Sequence, residues 1–453
     1  MSAEVVETAL AMSSADEAIV IATVSSSTNL RWANSTLTTN GSTREHSVIV
    51  VSIIGRSFGV RAGTSIDRAS LEELVRNSEA DARNAGDAED FGYLVEGTPD
   101  ATFDQDADHT SPTVFSDFAN DLGKAFDATA SADISLFGFA KHDMATAWLG
   151  TSSGIRKRHS QPSGMIEWTA KNKNPRGSAW FGQATRDFTD IAVDSAIEEL
   201  SKRLSWTDNS IDLPAGRYET ILPPTAVADL MIYAYWSASG RDAAEGRNAY
   251  SKAGGGTRAG ERLAESTLHL RSDPHDRELA CLPFAVAGSS SSMSSVFDNG
   301  LPLHATSWIK GGVLDSFIET RKSASSRGLV TTPAIDNLIL DTSGTKSLNQ
   351  MIATTERGLL VTCLWYIREI DPRRLLLTGL TRDGVYLVED GEVKGAVNNF
   401  RWNESPLELL GRISEAGRSV RTLPREWNDY FQNTRMPALR IPDFNMSTVS
   451  PAN

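Results

Sequence analysis

Seven histidines and two cysteines are the side chains best suited to hold a metal or attack a substrate. A hydrolytic zinc site built on a helix shows two histidines three or four positions apart with a Glu beside one, because such side chains share a face. The histidines here are His46, His109, His142, His159, His269, His275 and His304, and no two have that spacing. The nearest pair, His269 and His275, straddles Asp273-Pro274, which breaks any helix. Isolated surface or structural histidines are expected, with a site assembled from distant histidines as the alternative. Residues 150–154, Gly-Thr-Ser-Ser-Gly, match the nucleophile elbow of esterase-like hydrolases, with Ser152 as nucleophile. The elbow needs a helix after it, and Ile-Arg-Lys-Arg-His-Ser-Gln-Pro is a poor one, so a plain turn is expected. Cys363 sits in the apolar run Leu-Val-Thr-Cys-Leu-Trp and reads as a small buried hydrophobe. Cys281 has no histidine beside it, though a thiol's partners need only be close in space. Asp104, Asp106 and Asp108 begin like a calcium loop, but His109 replaces its glycine and Phe115 its closing Glu. Gly255 and Gly260 have P-loop spacing, but Glu261 replaces the phosphate-binding lysine. An acidic surface loop and a glycine linker are expected instead.

The elements that must position these residues follow from periodicity and turn chemistry. A helix is expected over residues 4–24 with an interruption at Ser13-Ser14, then a short strand at 30–34 and a turn at Asn40-Gly41. Runs 48–54 and 57–62 make a hairpin around Gly55, and Ser70 caps a helix that ends near Asn84. Residues 97–112 form an acidic loop and 116–129 a helix. Hairpin-like runs follow at 134–141, 145–149, 155–158 and 165–170, then a helix at 190–204. The polar stretch 206–216 is a domain boundary, giving an α+β N-terminal domain over 1–210 with a mixed antiparallel sheet. The second domain, 211–453, opens with a strand at 217–222 and a Pro-initiated helix at 225–237. It continues β-rich, with strands at 267–271, 313–320, 337–340, 358–367, 375–380, 384–389 and 392–396. A helix at 348–355 interrupts them, and Asp390-Gly391 is a hairpin signal. A barrel-like sheet is expected there, and residues 289–295, rich in serine, read as a mobile loop.

Several segments together resemble the TldD/PmbA family, also called modulators of DNA gyrase. They include Arg-Trp-Ala-Asn-Ser at 31–35 and Gly-Arg-Ser-Phe-Gly-Val at 55–60. In the second half they include the strand and helix at 218–230, Asp-Asn-Gly-Leu-Pro at 298–302 and Gly-Gly-Val-Leu at 311–314. The best match is 357–362 followed by 377–393, and 437–441 resembles the terminal strand. One kind of subunit in that family, TldD, binds zinc through H-E-x-x-x-H on the helix opening the C-terminal domain and a late Cys. Here that helix, 229–240, has neither His nor Glu, and the late segment 427–436 has no Cys. No catalytic, cofactor or metal residue is therefore carried over. The resemblance implies a TldE/PmbA-like subunit without its own cofactor, paired as a heterodimer with a zinc-bearing TldD-like partner that degrades or matures unfolded or short peptides. In that role Thr378, Gly379, Thr381, Arg382 and Asp383, a polar segment between apolar strands, are candidates to line a peptide channel, with a tight turn in a barrel-like sheet as the plainer expectation. Alternatives are an autonomous hydrolase using Ser152 or a cysteine, and a non-enzymatic peptide-binding scaffold.

Composition bounds these readings. The 453 residues carry 58 acidic against 44 basic side chains, a net charge of −14. That field repels phosphates and argues against nucleic acid as a direct partner. Two cysteines cannot build a disulfide framework, and no run approaches the roughly 18 apolar residues of a membrane span. The first segment lacks the basic start of a secretory leader, so a cytoplasmic location is expected.

Overall fold

The computed structural model describes residues 2–173 and 177–451. Helix α1 (Ser2–Met12) leads into strand β1 (Glu17–Ala33), so the expected single helix over 4–24 stops at the two serines. From Thr23 onward β1 alternates buried and less buried positions, the period of a strand and not of a helix. Its first half is buried on both faces. Val20, Ala22 and Val24 face α1 and helix α2 (Arg68–Asn84), while Ile19 and Ile21 face a second-domain loop through Phe284, Val296 and Phe297.

Strands β2 (Thr36–Ile54) and β3 (Ser57–Gly63), then β4 (Ser135–Thr151), β5 (Arg156–Lys171) and β6 (Ser178–Thr185), complete an antiparallel sheet ordered β3-β2-β1-β4-β5-β6. The β1–β2 turn lies at Asn34-Ser35, both in the left-handed region (φ 50° and 54°), while Asn40-Gly41 pairs within β2. Asn tolerates that region, so Asn34 could seat the turn as readily as Asn40. The four short runs expected between 134 and 170 are two long strands, β4 and β5. Asp67 and not Ser70 caps α2, its Oδ1 accepting the Ser70 N–H at 3.0 Å. Helices α3 (Ser116–Ala130) and α4 (Val193–Ser205) cover Trp32, Ile166 and Trp168 on the sheet.

The second half holds two further sheets around the largest core, which surrounds helix α5 (Pro224–Trp236). Pro224 starts α5, and its apolar side chains run around the whole helix, as suits a buried one. The smaller sheet contains His269–Ser272, Thr306–Lys310 and Leu338–Asp341. Of the expected strand over 313–320 only Val313–Leu314 forms.

The larger, ten-stranded sheet runs in space from Leu364–Asp371 through Leu376–Thr381, Phe400–Glu404, Leu439–Val449, Gly216–Leu222, Arg357–Val361, Val385–Glu389 and Glu392–Val397 to Ser210–Ile211, with Glu415–Ala416 pairing Leu439–Val449 off this path. It stays open, which corrects the expected barrel: its end strands do not pair with each other. The Glu426 carboxylate accepts the N–H groups of Tyr366 (3.3 Å) and Ile367 (3.1 Å) on one end strand, satisfying there the donors that closure would need. The serine loop 289–295 is tied down, Ser292 Oγ donating to Asp242 and Ser295 Oγ to Asp90, both at 2.6 Å. No helix among the described residues is long and apolar enough to cross a membrane. The whole is a two-domain α+β fold.

Candidate functional site

The segment 378–383 ends one strand of the large sheet. Thr378 Oγ1 donates to the Trp402 carbonyl at 3.0 Å. Thr381 is buried, accepting the Phe400 N–H at 2.9 Å and hydrogen-bonding Asn399 Oδ1 at 3.2 Å. Gly379 is a packing necessity: a Cβ there would lie 2.6 Å from the Trp402 ring and 2.8 Å from the Trp365 carbonyl. Gly379→Ala is therefore expected to cost about 1–3 kcal/mol by overpacking, read as a lower urea midpoint at unchanged slope. Arg382 lies over the Trp365 ring at 5.6 Å and pairs with Asp383 at 3.5 Å.

Asp383 sits in a turn with φ 49° and accepts Ser178 Oγ of β6 at 2.9 Å. Of the five residues it is the one that lines a cleft of about 580 Å³, with Ser178 on one side and Asp212, Tyr386, Asn398 and Val449 among the others. The cleft lies where the N-terminal sheet meets the second domain.

Beside it is a junction that sequence reasoning missed. The Arg425 guanidinium lies between the rings of Trp180 (4.9 Å) of β6 and Trp365 (4.5 Å). It also pairs at 3.1 Å with Glu167 of β5, whose Oε1 accepts Trp180 Nε1 at 3.2 Å. Glu167 and Arg425 are 258 positions apart, so only the fold brings them together.

Helix α5 holds Asp229 next to this junction. Asp229 is fully buried, its Oδ1 accepts the Glu426 N–H at 2.9 Å, and its Oδ2 has no hydrogen-bond partner among the described residues. Burial pushes its carboxyl well above the usual range, with the nearby Glu426 charge adding to the shift. The Asp229 carbonyl accepts Trp427 Nε1 at 3.0 Å, and Trp427 packs its ring against Tyr233 (5.8 Å) and Trp236 (5.3 Å). This is the helix on which the resembled family keeps its zinc ligands. The donor set here is one desolvated carboxyl among indole and phenol rings, which does not fit a zinc ion. Among the described residues no three His, Cys, Asp or Glu side chains form a metal-binding group.

Several other candidates are held in structural contacts. His142 bonds Thr110 Oγ1 (2.7 Å) and the Arg186 carbonyl (2.8 Å), and His159 bonds Gln161 (3.0 Å). Ser152 Oγ accepts the Ala18 N–H at 3.0 Å, in a turn with no elbow helix after it. Burial pushes the Cys281 thiol up to about 12 and raises that of Cys363, which disfavours the thiolate a nucleophile needs. Asp108 pairs with Arg158 of β5 at 3.1 Å, and Gly254-Gly255-Gly256 form a left-handed loop closed by Lys252 N–H to the Gly256 carbonyl.

The model of the PmbA/TldA metallopeptidase C-terminal domain matches residues 215–448, more than half of the chain, and the chain belongs to the TldD/PmbA family. Three solved structures share its fold. TldE from Thermococcus kodakarensis superposes with a TM-score of 0.79 at 16% identity, covering 98% of both chains. A candidate modulator of DNA gyrase from Thermotoga maritima gives 0.78 at 16%, covering 98% of this chain and all of its own. Another from Bacteroides thetaiotaomicron gives 0.74 at 17%, covering 98% of each. No curated protein matches the sequence.

Proposed function

We propose that this chain is a TldE/PmbA-like subunit that pairs with a zinc-bearing TldD-like subunit to degrade or mature unfolded or short peptides. The observation that carries the reading is the chemistry of α5 and the segment after it. A dry carboxyl, Asp229, and the packed rings of Tyr233, Trp236 and Trp427 stand where a catalytic subunit needs nitrogen, sulfur and an open position. Family membership and the fold shared with TldE support the peptidase context. The partner's zinc supplies the Lewis acid and the activated water. This chain contributes walls: the cleft beside Asp383, with the strand ends around it, suits an extended peptide. The boundary near residue 210 then separates an N-terminal wall from the domain that carries the family helix.

Affinity purification of the full chain followed by mass spectrometry is expected to return a partner bearing H-E-x-x-x-H. The purified chain alone is expected to hold no stoichiometric zinc and to leave an unfolded casein intact, with cleavage on adding the partner. Stoichiometric zinc, or cleavage by the chain alone, overturns the reading.

A further inference from the structure

We infer that the cleft beside Asp383 binds a primary ammonium group carried by a peptide, whether on a lysine side chain or at a free N-terminus. This rests on the reading that the cleft receives peptide, and it adds what the cleft selects. At about 580 Å³ the cleft has the size of a ligand site and can enclose a few residues of extended chain.

One polar group in its lining has no use inside the fold. Tyr386 is fully buried, its ring packed edge-on against Trp206 at 4.9 Å, and its Oη has no hydrogen-bond partner among the described residues. Withdrawing a hydroxyl from water without a partner is unfavourable, so the orphan needs a reason. Thr362 Oγ1, close by, is already committed to the Gly384 carbonyl at 2.9 Å. Gly384, with φ 133°, lies against the phenol and also lines the cleft. A Cβ there would come within 2.9 Å of the Tyr386 Oη. The glycine therefore leaves open, next to the hydroxyl, the space that a side chain would fill.

Asp383, one position earlier, brings the charge. Its Oδ1 accepts Ser178 Oγ at 2.9 Å. The Arg382 guanidinium, held over the Trp365 ring, comes no closer to the Asp383 carboxylate than 3.5 Å. The Asp383 side chain is only 15% exposed, so water screens it weakly. No Lys or Arg among the described residues lines the cleft. Asp212, also in the lining, already has a partner, which leaves Asp383 as the anchor. Burial raises the Tyr386 phenol above its ordinary range and the Asp383 charge adds to the shift, so the two groups lie within electrostatic reach of each other. A carboxylate and a neutral hydroxyl both offer lone pairs, and an ammonium brings three donors and no acceptor. Leu213, Val397 and Val449 present apolar surface for a methylene stem. A carboxylate in the same place would be repelled by Asp383.

The test is peptide binding to the full chain alone, by fluorescence anisotropy. Three unstructured probes of equal length are compared: an acetylated peptide with one lysine, the same peptide with norleucine for the lysine, and the norleucine peptide with a free N-terminus. An ammonium-bearing probe is expected to bind about tenfold tighter than the neutral one, the worth of one charged hydrogen-bonded contact, and the tighter of the two identifies the source. Asp383→Asn keeps an acceptor for Ser178 and is expected to abolish the preference. Asp127→Asn, exposed on α3 and outside the cleft lining, removes the same charge and is expected to preserve it. Tyr386→Phe is expected to weaken the preferred probe several-fold while melting no lower than wild type, because the deleted hydroxyl makes no bond in the fold. Equal binding of all three probes, or a preference that Asp383→Asn retains, overturns the inference and leaves peptide binding by the chain intact. No binding of any probe overturns it together with the peptide role of the cleft, while the zinc-bearing partner stands or falls by the purification experiment.

Discussion

Arg425→Ala is expected to lower folding stability by about 3 kcal/mol, the range for removing one partner of a largely buried pair, and to uncouple the unfolding of the two halves. The guanidinium touches the first domain through Trp180 at 4.9 Å and Glu167 at 3.1 Å, and the second through Trp365 at 4.5 Å. Arg425 and Glu167 side chains are only 14% and 21% exposed, so water screens the pair weakly. Each desolvated cation–ring contact adds about 1–2 kcal/mol. Truncation opens a gap between two indoles and leaves Glu167 with the Trp180 N–H as its remaining partner at this junction. Calorimetry should show one cooperative transition in wild type, and in the variant a lower transition that broadens or splits. Arg425→Lys separates charge from shape: an ammonium can still meet Glu167 but cannot stack flat on two rings, so an intermediate loss is expected. An unchanged melting curve for Arg425→Ala would show that the junction does not couple the domains.

That junction was invisible in the sequence for a physical reason. Trp180, Trp365 and Arg425 each read as ordinary residues of a strand or loop, and only tertiary pairing gives them a common role. Local signals served where one face decided the structure. Helix α4 was legible because Ala196, Leu200 and Leu204 recur at helical spacing on the buried face. The Gly55 hairpin was legible because only a left-handed residue closes it, at φ 61°. Residues 18–22 misled because they are buried on both faces, which erases the alternation that marks a strand. The open sheet misled because closure depends on the end strands, and Glu426, which satisfies one of them, lies about sixty positions away. At the site, the lack of His and Glu on α5 is a fact of the sequence itself, whereas the Asp383 cleft needed β6 to supply Ser178.

Asp229 yields a pH effect whose sign is fixed by its burial. Its carboxyl is fully buried, with no hydrogen-bond partner for Oδ2 among the described residues, so burial holds the folded-state pKa well above the ordinary carboxylate value of about 3.9. The folded chain therefore keeps a proton that the unfolded chain releases. Stability is full below about pH 4 and falls as pH rises toward the folded pKa, at up to about 1.4 kcal/mol per pH unit. Asp229→Asn cannot ionise and keeps the Oδ1 acceptor for the Glu426 N–H. It is expected to match wild type at low pH and to exceed it increasingly toward neutrality. Asp229→Ala removes that acceptor and leaves a cavity in α5, at a cost of about 2–4 kcal/mol even in acid. Burial also raises Glu426, Asp336 and Glu404. Asp336 and Glu404 give the same slope in both proteins and cancel in the difference, while Glu426, in contact with Asp229, is controlled by the double variant with Glu426→Gln. Urea midpoints from pH 4 to 8 supply the comparison, and parallel curves for wild type and Asp229→Asn would mean that Asp229 is ionised in the folded chain. That outcome would also bear on function, because a carboxylate ionised at this position of the helix could serve a dication, and the proposed division of labour between two subunits would lose its main support.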